Sequence, residues 1–389
     1  MRTREQGWVG RLGPWIGIGT SPAALMAGGG LSAGHDAGTV IGVTLVGVAL
    51  LTLIAVAQGM LGVHTRSPLG VVMARALPGR IAGRVATVLM LVMMIGWFGV
   101  NVDVGGTALA RLLVVPATLG WVVLGGVAVA ATLRGLGTLS WTALLTGTAT
   151  VLLAGWGLAL AAERAPLGLG STGGGASEVG ILTGVSLVVG YGAAFALRTP
   201  DFTFDLARRR QVVWCGVLGL GVPLLVFATA GAALQASTGH WNIADVLSDL
   251  GTPAAGQAFV ALGFLGSVLT NLHSGRLAFA AATGWGATVG LWVVTATGLA
   301  LAASGFGARM IDYMVVLAIV VPGLIVVCVA SAVGLNGRHG GTIWGLSTLA
   351  GAAMEYAGGG GGVLAATAVG VVGVAVTAAR GRGARRPCT

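Results

Sequence analysis

The run GTVIGVTLVGVALLTLIAVAQGML, residues 38–61, contains no charged side chain. It is long enough to cross a bilayer, whose hydrocarbon core of about 30 Å takes about 20 apolar residues as a helix. Comparable runs recur along the whole chain, and only 8% of its 389 residues are charged against 56% hydrophobic. A soluble domain carries about 25% charged residues. So few polar side chains cannot cover a water-soluble surface around this much apolar material. The sequence therefore predicts an all-α polytopic membrane protein.

Counting spans by length gives about twelve. They fall near 14–33, 38–61, 84–110, 112–133, 138–162, 178–197, 212–235, 255–280, 284–304, 311–334, 341–356 and 361–379. With the N-terminus inside, the inner segments hold Arg2, Arg4, Arg11, Arg66, Arg75, Arg80, Arg84, Arg134, Arg198, Arg208, Arg209, Arg210, Arg338 and the arginines from 380 onward. The outer segments hold Arg111, Arg164 and Arg309, and Arg276 lies within a span. This asymmetry follows the positive-inside rule and puts both termini in the cytoplasm. The expected location is the inner, cytoplasmic membrane of a bacterium. Residues 62–83 read as a partly amphipathic cytoplasmic connection. Residues 163–178 read as a Gly/Ser-rich outer linker, and 236–254 as an outer loop with a short helix. Residues 380–389 form a basic cytoplasmic tail.

The net charge of +10 comes from arginine alone. The arginines are scattered between apolar runs, so membrane orientation explains them and nucleic acid is not an expected partner. Cys215, Cys328 and Cys388 have no metal or disulfide spacing. The N-terminus reads as a cytoplasmic lead into the first span. No HExxH motif is present and no paired acids stand beside a nucleophile, which argues against a membrane enzyme. No cofactor is expected, and no metal beyond a sodium coupling ion.

Two spans carry helix-disturbing residues. The first, PWIGIGTSPAALMAGGGLSAG (14–34), contains Gly17, Gly19 and Pro22; the sixth, GVSLVVGYGAAFALRTPDF (184–202), contains Gly190, Gly192 and Pro200. Glycine loosens a helix and proline removes a donor. Unpaired backbone within a bilayer is tolerated only around a cavity or inside protein. Interruptions at the first and sixth positions match an inverted five-plus-five repeat, whose half-helix ends meet solute and cation at the midplane. The expected organisation is a first repeat over 14–162, a second over 178–334 and two further helices over 341–379. Glycine in membrane helices also serves packing alone.

Five segments together resemble the nucleobase–cation symporters, cytosine permease branch. They are GWFGV (96–100), LVVGYGAAFALRTPDFTFDLARRR (187–210), GAALQASTGHWNIADVLSDLG (231–251), FLGSVLTNLHSGRLAF (264–279) and, more loosely, GTSPAALMAGGGLSAGHD (19–36). The resemblance covers roughly residues 14–335. It implies a cation-coupled importer of a small planar heterocycle, such as cytosine or a related pyrimidine or purine, working by alternating access as a monomer. It implies Trp97 as the ring that stacks on solute, with Tyr191 or the open position of Gly192 facing it. Met94 stands where the family carries an amide, and Asn271 fits the amide of the eighth span. The implied cation ligands are Gly17 and Ser21 on the first span and Thr270 on the eighth, with Ser267 and Ser274 nearby. Leu269 replaces a hydroxyl, which weakens sodium as the coupling ion and leaves a proton, or no coupling ion, open.

The residues read by themselves agree in part. A tryptophan can grip the apolar face of a flat ring while a few polar groups select on its rim. Gly96 and Gly99 beside Trp97 would clear space; the bland alternative is a packing or lipid-facing ring. Asp103 lies about 9 Å farther along the helix, at 1.5 Å per residue. A carboxylate at that depth is costly, and it reads as a proton carrier, an outer-vestibule ligand or a structural partner. Asn101 reads as a helix–helix hydrogen bonder. Arg276 needs an acid if buried; Asp201 and Asp205 are candidates for an inner latch, against snorkelling to headgroups. His273 could carry a proton or be structural. Rival readings are an amino-acid permease of the same architecture and a non-transporting degenerate paralogue or sensor.

Overall fold

The computed structural model describes residues 7–32, 35–164, 166–169, 180–335, 339–359 and 361–383. Most of the 163–178 linker lies outside the described residues, as do Arg2, Arg4, Arg338, Cys388 and the end of the basic tail. Every regular element among the described residues is helical.

The first apolar segment folds in two pieces, α1 (Gly13–Gly19) and α2 (Pro22–Ser32), with Thr20 and Ser21 between them. Pro22 has no N–H to continue the ladder, and its ring disfavours helix at the residue before it. The Thr20 hydroxyl turns back to the carbonyl of Ile16 at 2.7 Å, which closes the end of α1. There follow α3 (Ala37–Thr65) and α4 (Leu69–Ala76). α4 buries Leu69, Val72, Met73 and Ala76 and exposes Val71 and Arg75, as the amphipathic pattern of 62–83 predicts. α5 (Arg80–Leu113), α6 (Ala117–Leu133) and α7 (Leu136–Arg164) complete the N-terminal half.

The second half begins with α8 (Ile181–Arg198) and the single turn α9 (Pro200–Thr203). α10 (Arg209–Trp214) continues through a π-helical stretch, Cys215–Gly221, into α11 (Val222–Thr238). The widened turn sits where Pro223 cannot donate, a usual cause of such bulges. α12 (Ile243–Asp249) lies in the predicted outer loop, followed by α13 (Pro253–Thr283), α14 (Ala287–Ala303) and α15 (Met310–Ala332). α16 (Gly340–Met354) and α17 (Gly362–Gly383) pack together and against α15. Among the described residues eight helical stretches are long and apolar enough to cross a membrane; Ala117–Leu133 and Ala287–Ala303 are shorter apolar helices. Leu53, Leu145, Leu152 and Leu349 point outward, each about two-thirds exposed, as lipid-facing residues would.

Three packing pairs position the interior: α5 on α13, α2 on α11, and α3 on α8. The second brings backbones into contact through glycine. A Cβ on Gly28 would fall 1.7 Å from the carbonyl oxygen of Ala228, and one on Gly231 would fall 2.0 Å from that of Leu25. Small residues are what allow membrane helices to approach this closely.

One expectation is overturned. The sixth segment does not break at Gly190–Tyr191–Gly192; α8 passes through all three and ends at Arg198. Its glycines serve packing. A Cβ on Gly192 would meet Leu51 of α3 at 2.4 Å, and one on Gly190 would meet Ala318 of α15 at 3.1 Å. The discontinuity falls instead at Thr199, immediately before Pro200.

Candidate solute site

The break between α1 and α2 opens on a narrow cavity that holds about 340 Å³ of empty space, its mouth included. The first segment contributes Ile18, Ser21 and Ala23. α5 contributes Trp97 and Asn101, one helical turn apart, and α13 contributes Ser267 and Asn271 at the same spacing. α8 contributes the stripe Tyr191, Ala194, Phe195 and Arg198, which follows i, i+3, i+4, i+7. The space inside it that water could occupy is only about 20 Å³, far below the about 300–1,000 Å³ typical of small-molecule sites, so its walls are nearly closed on one another in this conformation.

A broken helix leaves carbonyls without intrahelical partners. Here the hydroxyl of Tyr191 donates to the carbonyl of Ile18, and the hydroxyl of Ser267 donates to that of Gly17 at 3.4 Å. The break is thus held from two sides, by α8 and α13. Tyr191 lines the cavity, but its hydroxyl is committed to the backbone.

Trp97 is 7% exposed and borders the cavity. Its ring meets Tyr313 of α15 edge-on, with centroids 5.6 Å apart and planes at 70°. The Tyr313 hydroxyl donates to the carbonyl of Met93 at 2.5 Å. Gly96 and Gly99 do not open the cavity, contrary to the sequence reading. A Cβ on Gly96 would strike the Tyr313 ring at 2.6 Å, and one on Gly99 would strike Leu301 at 2.9 Å. These glycines seat neighbouring helices, and that seating fixes Trp97.

The largest departure concerns Arg198. Assigned by sequence to a cytoplasmic segment, it is 2% exposed and faces the cavity from the last turn of α8. Its Nη1 donates to the sulfur of Met94 at 3.2 Å and its Nη2 to the hydroxyl of Thr270 at 3.2 Å. Its guanidinium carbon lies 5.5 Å from the Phe195 ring centre and 6.0 Å from that of Phe202. Its Nε is buried without a partner.

Of the expected solute contacts, Trp97, Tyr191 and Asn271 come together. Met94 is fully buried and touches Arg198 rather than lining the cavity, and Gly192 faces Leu51. Of the expected cation ligands, Ser21 and Ser267 line the cavity beside the Gly17 carbonyl. Thr270 accepts from Arg198 and donates to the carbonyl of Ser267 at 3.0 Å. Ser274 lines a separate cavity of about 720 Å³ with Asp201 and Leu69. The expected latch is not formed. Asp205 pairs with Arg11, and Asp201 accepts the Leu69 N–H at 2.9 Å. Arg276 is half-buried, with no ion pair among the described residues. Asp103 accepts the Gly307 N–H at 3.2 Å, a structural partnership with the turn before α15. Asn101 lines the cavity instead of bridging helices. His273 is buried against Phe202, with both ring nitrogens unpartnered.

Sequence reasoning missed Arg198, Tyr313, Phe195 and the cavity role of Asn101. Helical spacing from two residues it did select would have found two of them. Asn101 is i+4 from Trp97, and Arg198 is i+7 from Tyr191. Tyr313, on a distant segment, leaves no such local signal.

No protein-family model matches the chain, and no curated protein sequence matches it. Solved structures do. Mhp1, a nucleobase-cation-symport-1 family transporter, in a closed conformation with bromovinylhydantoin bound, superposes with a TM-score of 0.81 at 16% identity, over 97% of this chain and 94% of that one. The inward-facing conformation of Mhp1 gives 0.75 at 15% identity, over 100% and 96%. A variant of the manganese transporter from Eremococcus coleocola gives 0.61 at 11%, over 95% and 92%. At such identities the likeness is one of architecture. The chain is built on the fold of Mhp1.

Proposed function

We propose that the chain is a secondary transporter that imports a small planar heterocycle by alternating access, coupled to sodium or protons. The observation that carries this reading is the cavity at the α1–α2 break, where Trp97 stands beside two amides, Asn101 and Asn271. An indole face and convergent hydrogen-bonding groups suit a flat ring with a polar rim. The shared fold with Mhp1, solved with bromovinylhydantoin bound, supports the same class of solute. A nucleobase such as cytosine, or a related pyrimidine or purine, fits that description. The same reading treats segments 14–162 and 178–334 as inverted repeats and the monomer as the working unit.

An amino-acid permease would also need a group for the ammonium. No carboxylate lines the cavity among the described residues, which favours the heterocycle.

The test is uptake of radiolabelled pyrimidines, purines and related heterocycles into proteoliposomes, with Trp97→Ala as the comparison. Ring stacking on a base contributes about 1–3 kcal/mol, so the substitution should weaken apparent affinity by about fivefold to over a hundredfold. Uptake that survives Trp97→Ala unchanged would remove the pocket from this place, and binding without uptake would mark a sensor. Replacing sodium by choline, then adding a protonophore, separates the two coupling ions.

A further inference from the structure

We infer that the solute is an anion, a flat heterocycle carrying a carboxylate or an ionised ring N–H, whose charge is received by Arg198. This rests on the transport reading above and narrows its substrate class.

The guanidinium is permanently charged at any working pH. It sits in the wall of a membrane-embedded cavity with no carboxylate at ion-pair distance among the described residues. A buried charge without a partner is strongly destabilising, and intramembrane arginines are normally paired or face a functional cavity. The two bonds that Arg198 makes do not neutralise it. A thioether sulfur is a weak acceptor and a hydroxyl is neutral. Phe195 and Phe202 hold the plane in place by cation–π contact but carry no net charge. Of the five N–H bonds of an arginine, two are used, and Nε stays unpartnered.

The neighbouring charges leave the cavity face of Arg198 unoccupied. Asp201 is the opposite charge that acts on Arg198, and Arg11, Arg198 and Arg276 all act on His273. Arg11 and Asp205 cancel as a buried pair. Asp201 is turned to the Leu69 amide and lines the other cavity. Asp201 thus answers Arg198 only at a distance, with no ion pair between them among the described residues, and the face of Arg198 on the cavity is where an anionic ligand can bind it. A planar guanidinium fork matches a carboxylate in two parallel bonds.

The opposite requirement stands on α13. The side-chain oxygen of Asn271 is buried, unpartnered and on the cavity wall, so it calls for a donor. A ring N–H supplies one. An acceptor for Arg198, a donor for Asn271 and a flat face for Trp97 together describe an anionic heterocycle more closely than a neutral base.

The experiment measures thermal stabilisation of the purified full-length chain in detergent by matched pairs: nicotinate and nicotinamide, orotate and orotamide, hydantoin-5-acetate and its amide. Neutral uracil, cytosine and hypoxanthine, and aliphatic succinate with succinamide, complete the panel. At least one heterocyclic carboxylate should stabilise the protein, with an apparent affinity at least tenfold above that of its amide. Arg198→Gln should abolish this preference and Arg198→Lys should keep part of it. The carboxylate–amide contrast on the unsubstituted chain needs no variant to fold. Neutral bases that bind as well as the anions, with loss only in Trp97→Ala, would overturn the anion and keep the transport reading. Succinate binding that depends on Arg198 while no heterocycle binds would overturn the heterocycle and keep the charge. Silence across the panel counts against both.

Discussion

In the first membrane segment the helix stops at Gly19 and resumes at Pro22; in the sixth it runs through Gly190, Tyr191 and Gly192 and stops only at Arg198. Both segments carry a Gly-X-Gly step ahead of a proline, Gly17 and Gly19 before Pro22 and Gly190 and Gly192 before Pro200, yet glycine breaks neither. Each interruption falls where a hydroxyl residue precedes proline, at Ser21–Pro22 and at Thr199–Pro200. Pro322 inside α15 follows a valine and leaves that helix continuous. Proline removes one backbone bond, and a neighbouring hydroxyl offers the freed carbonyls another partner, so the chain can leave the helix at low cost. Thr199 bonds the carbonyls of Ala196 and Ala55, whereas at the first break the Ile18 carbonyl freed by Pro22 takes the Ser21 N–H and the distant Tyr191 hydroxyl. The position of the X-Pro step then decides function. In the first segment it exposes the Ile18 carbonyl at the cavity; in the sixth it lets one more turn of helix carry Arg198 into the same cavity.

The sharpest way to break this comparison is at the glycines that were expected to do similar work. Gly28 touches the α11 backbone, where an added Cβ would lie 1.7 Å from a carbonyl oxygen; one on Gly190 would meet the methyl of Ala318 at 3.1 Å and no backbone atom closer than 3.9 Å. Overpacking costs about 1–3 kcal/mol and occasionally more. Gly28→Ala should exceed that range, because backbone cannot move aside as a side chain does, and Gly190→Ala should fall at its lower end. Thermal unfolding of the two variants in the same detergent checks this. Equal shifts in midpoint would mean that both segments tolerate side chains alike.

The spans were legible because length and hydropathy alone decide them, and the first break was legible because Pro22 sits inside an apolar run. The solute wall was legible only where a residue was unusual for its surroundings, as with Trp97 and Asn271. Arg198 was not. It ends an apolar run before Thr-Pro-Asp, a pattern that reads as a cytoplasmic turn, and only the tertiary placement of α8 turns it inward. The expected pairing of Arg276 with Asp201 or Asp205 failed for a similar reason. Arg11, 194 positions earlier, reaches Asp205 first.

A smaller effect lies in the bonds that hold each interruption. Tyr191→Phe removes one of two donors to the Ile18 carbonyl, the Ser21 N–H at 3.2 Å staying in place, at a cost of about 0.5–1.5 kcal/mol. Thr199→Ala removes a hydroxyl whose acceptors, Ala55 and Ala196, lie within or at the end of helices, so it should cost about 1 kcal/mol. Hydrogen exchange should quicken at Thr20 and Ser21 in the first variant and stay unchanged there in the second. Faster exchange at Thr20 and Ser21 in both would couple the two interruptions into one unit.

The smallest effect is at the exit from the first segment, where Asp36 caps α3 outside the membrane-spanning stretch. Its carboxylate accepts from the Thr39 hydroxyl at 2.7 Å and from the Thr39 N–H at 3.0 Å. These bonds, the hydroxyl first, hold its pKa below the ordinary 3.8. A lowered carboxylate pKa contributes stability that is present above the unfolded value and is lost as pH falls through the folded one. Exchange protection of the Thr39 amide should therefore be level from neutral pH down to about 4 and decline below it. Asp36→Asn keeps a capping oxygen without a titratable proton, so its Thr39 protection should show no such decline. A decline in both proteins would trace the loss to acid unfolding elsewhere, and the turn joining the first segment to α3 would then be held by packing instead of by its cap.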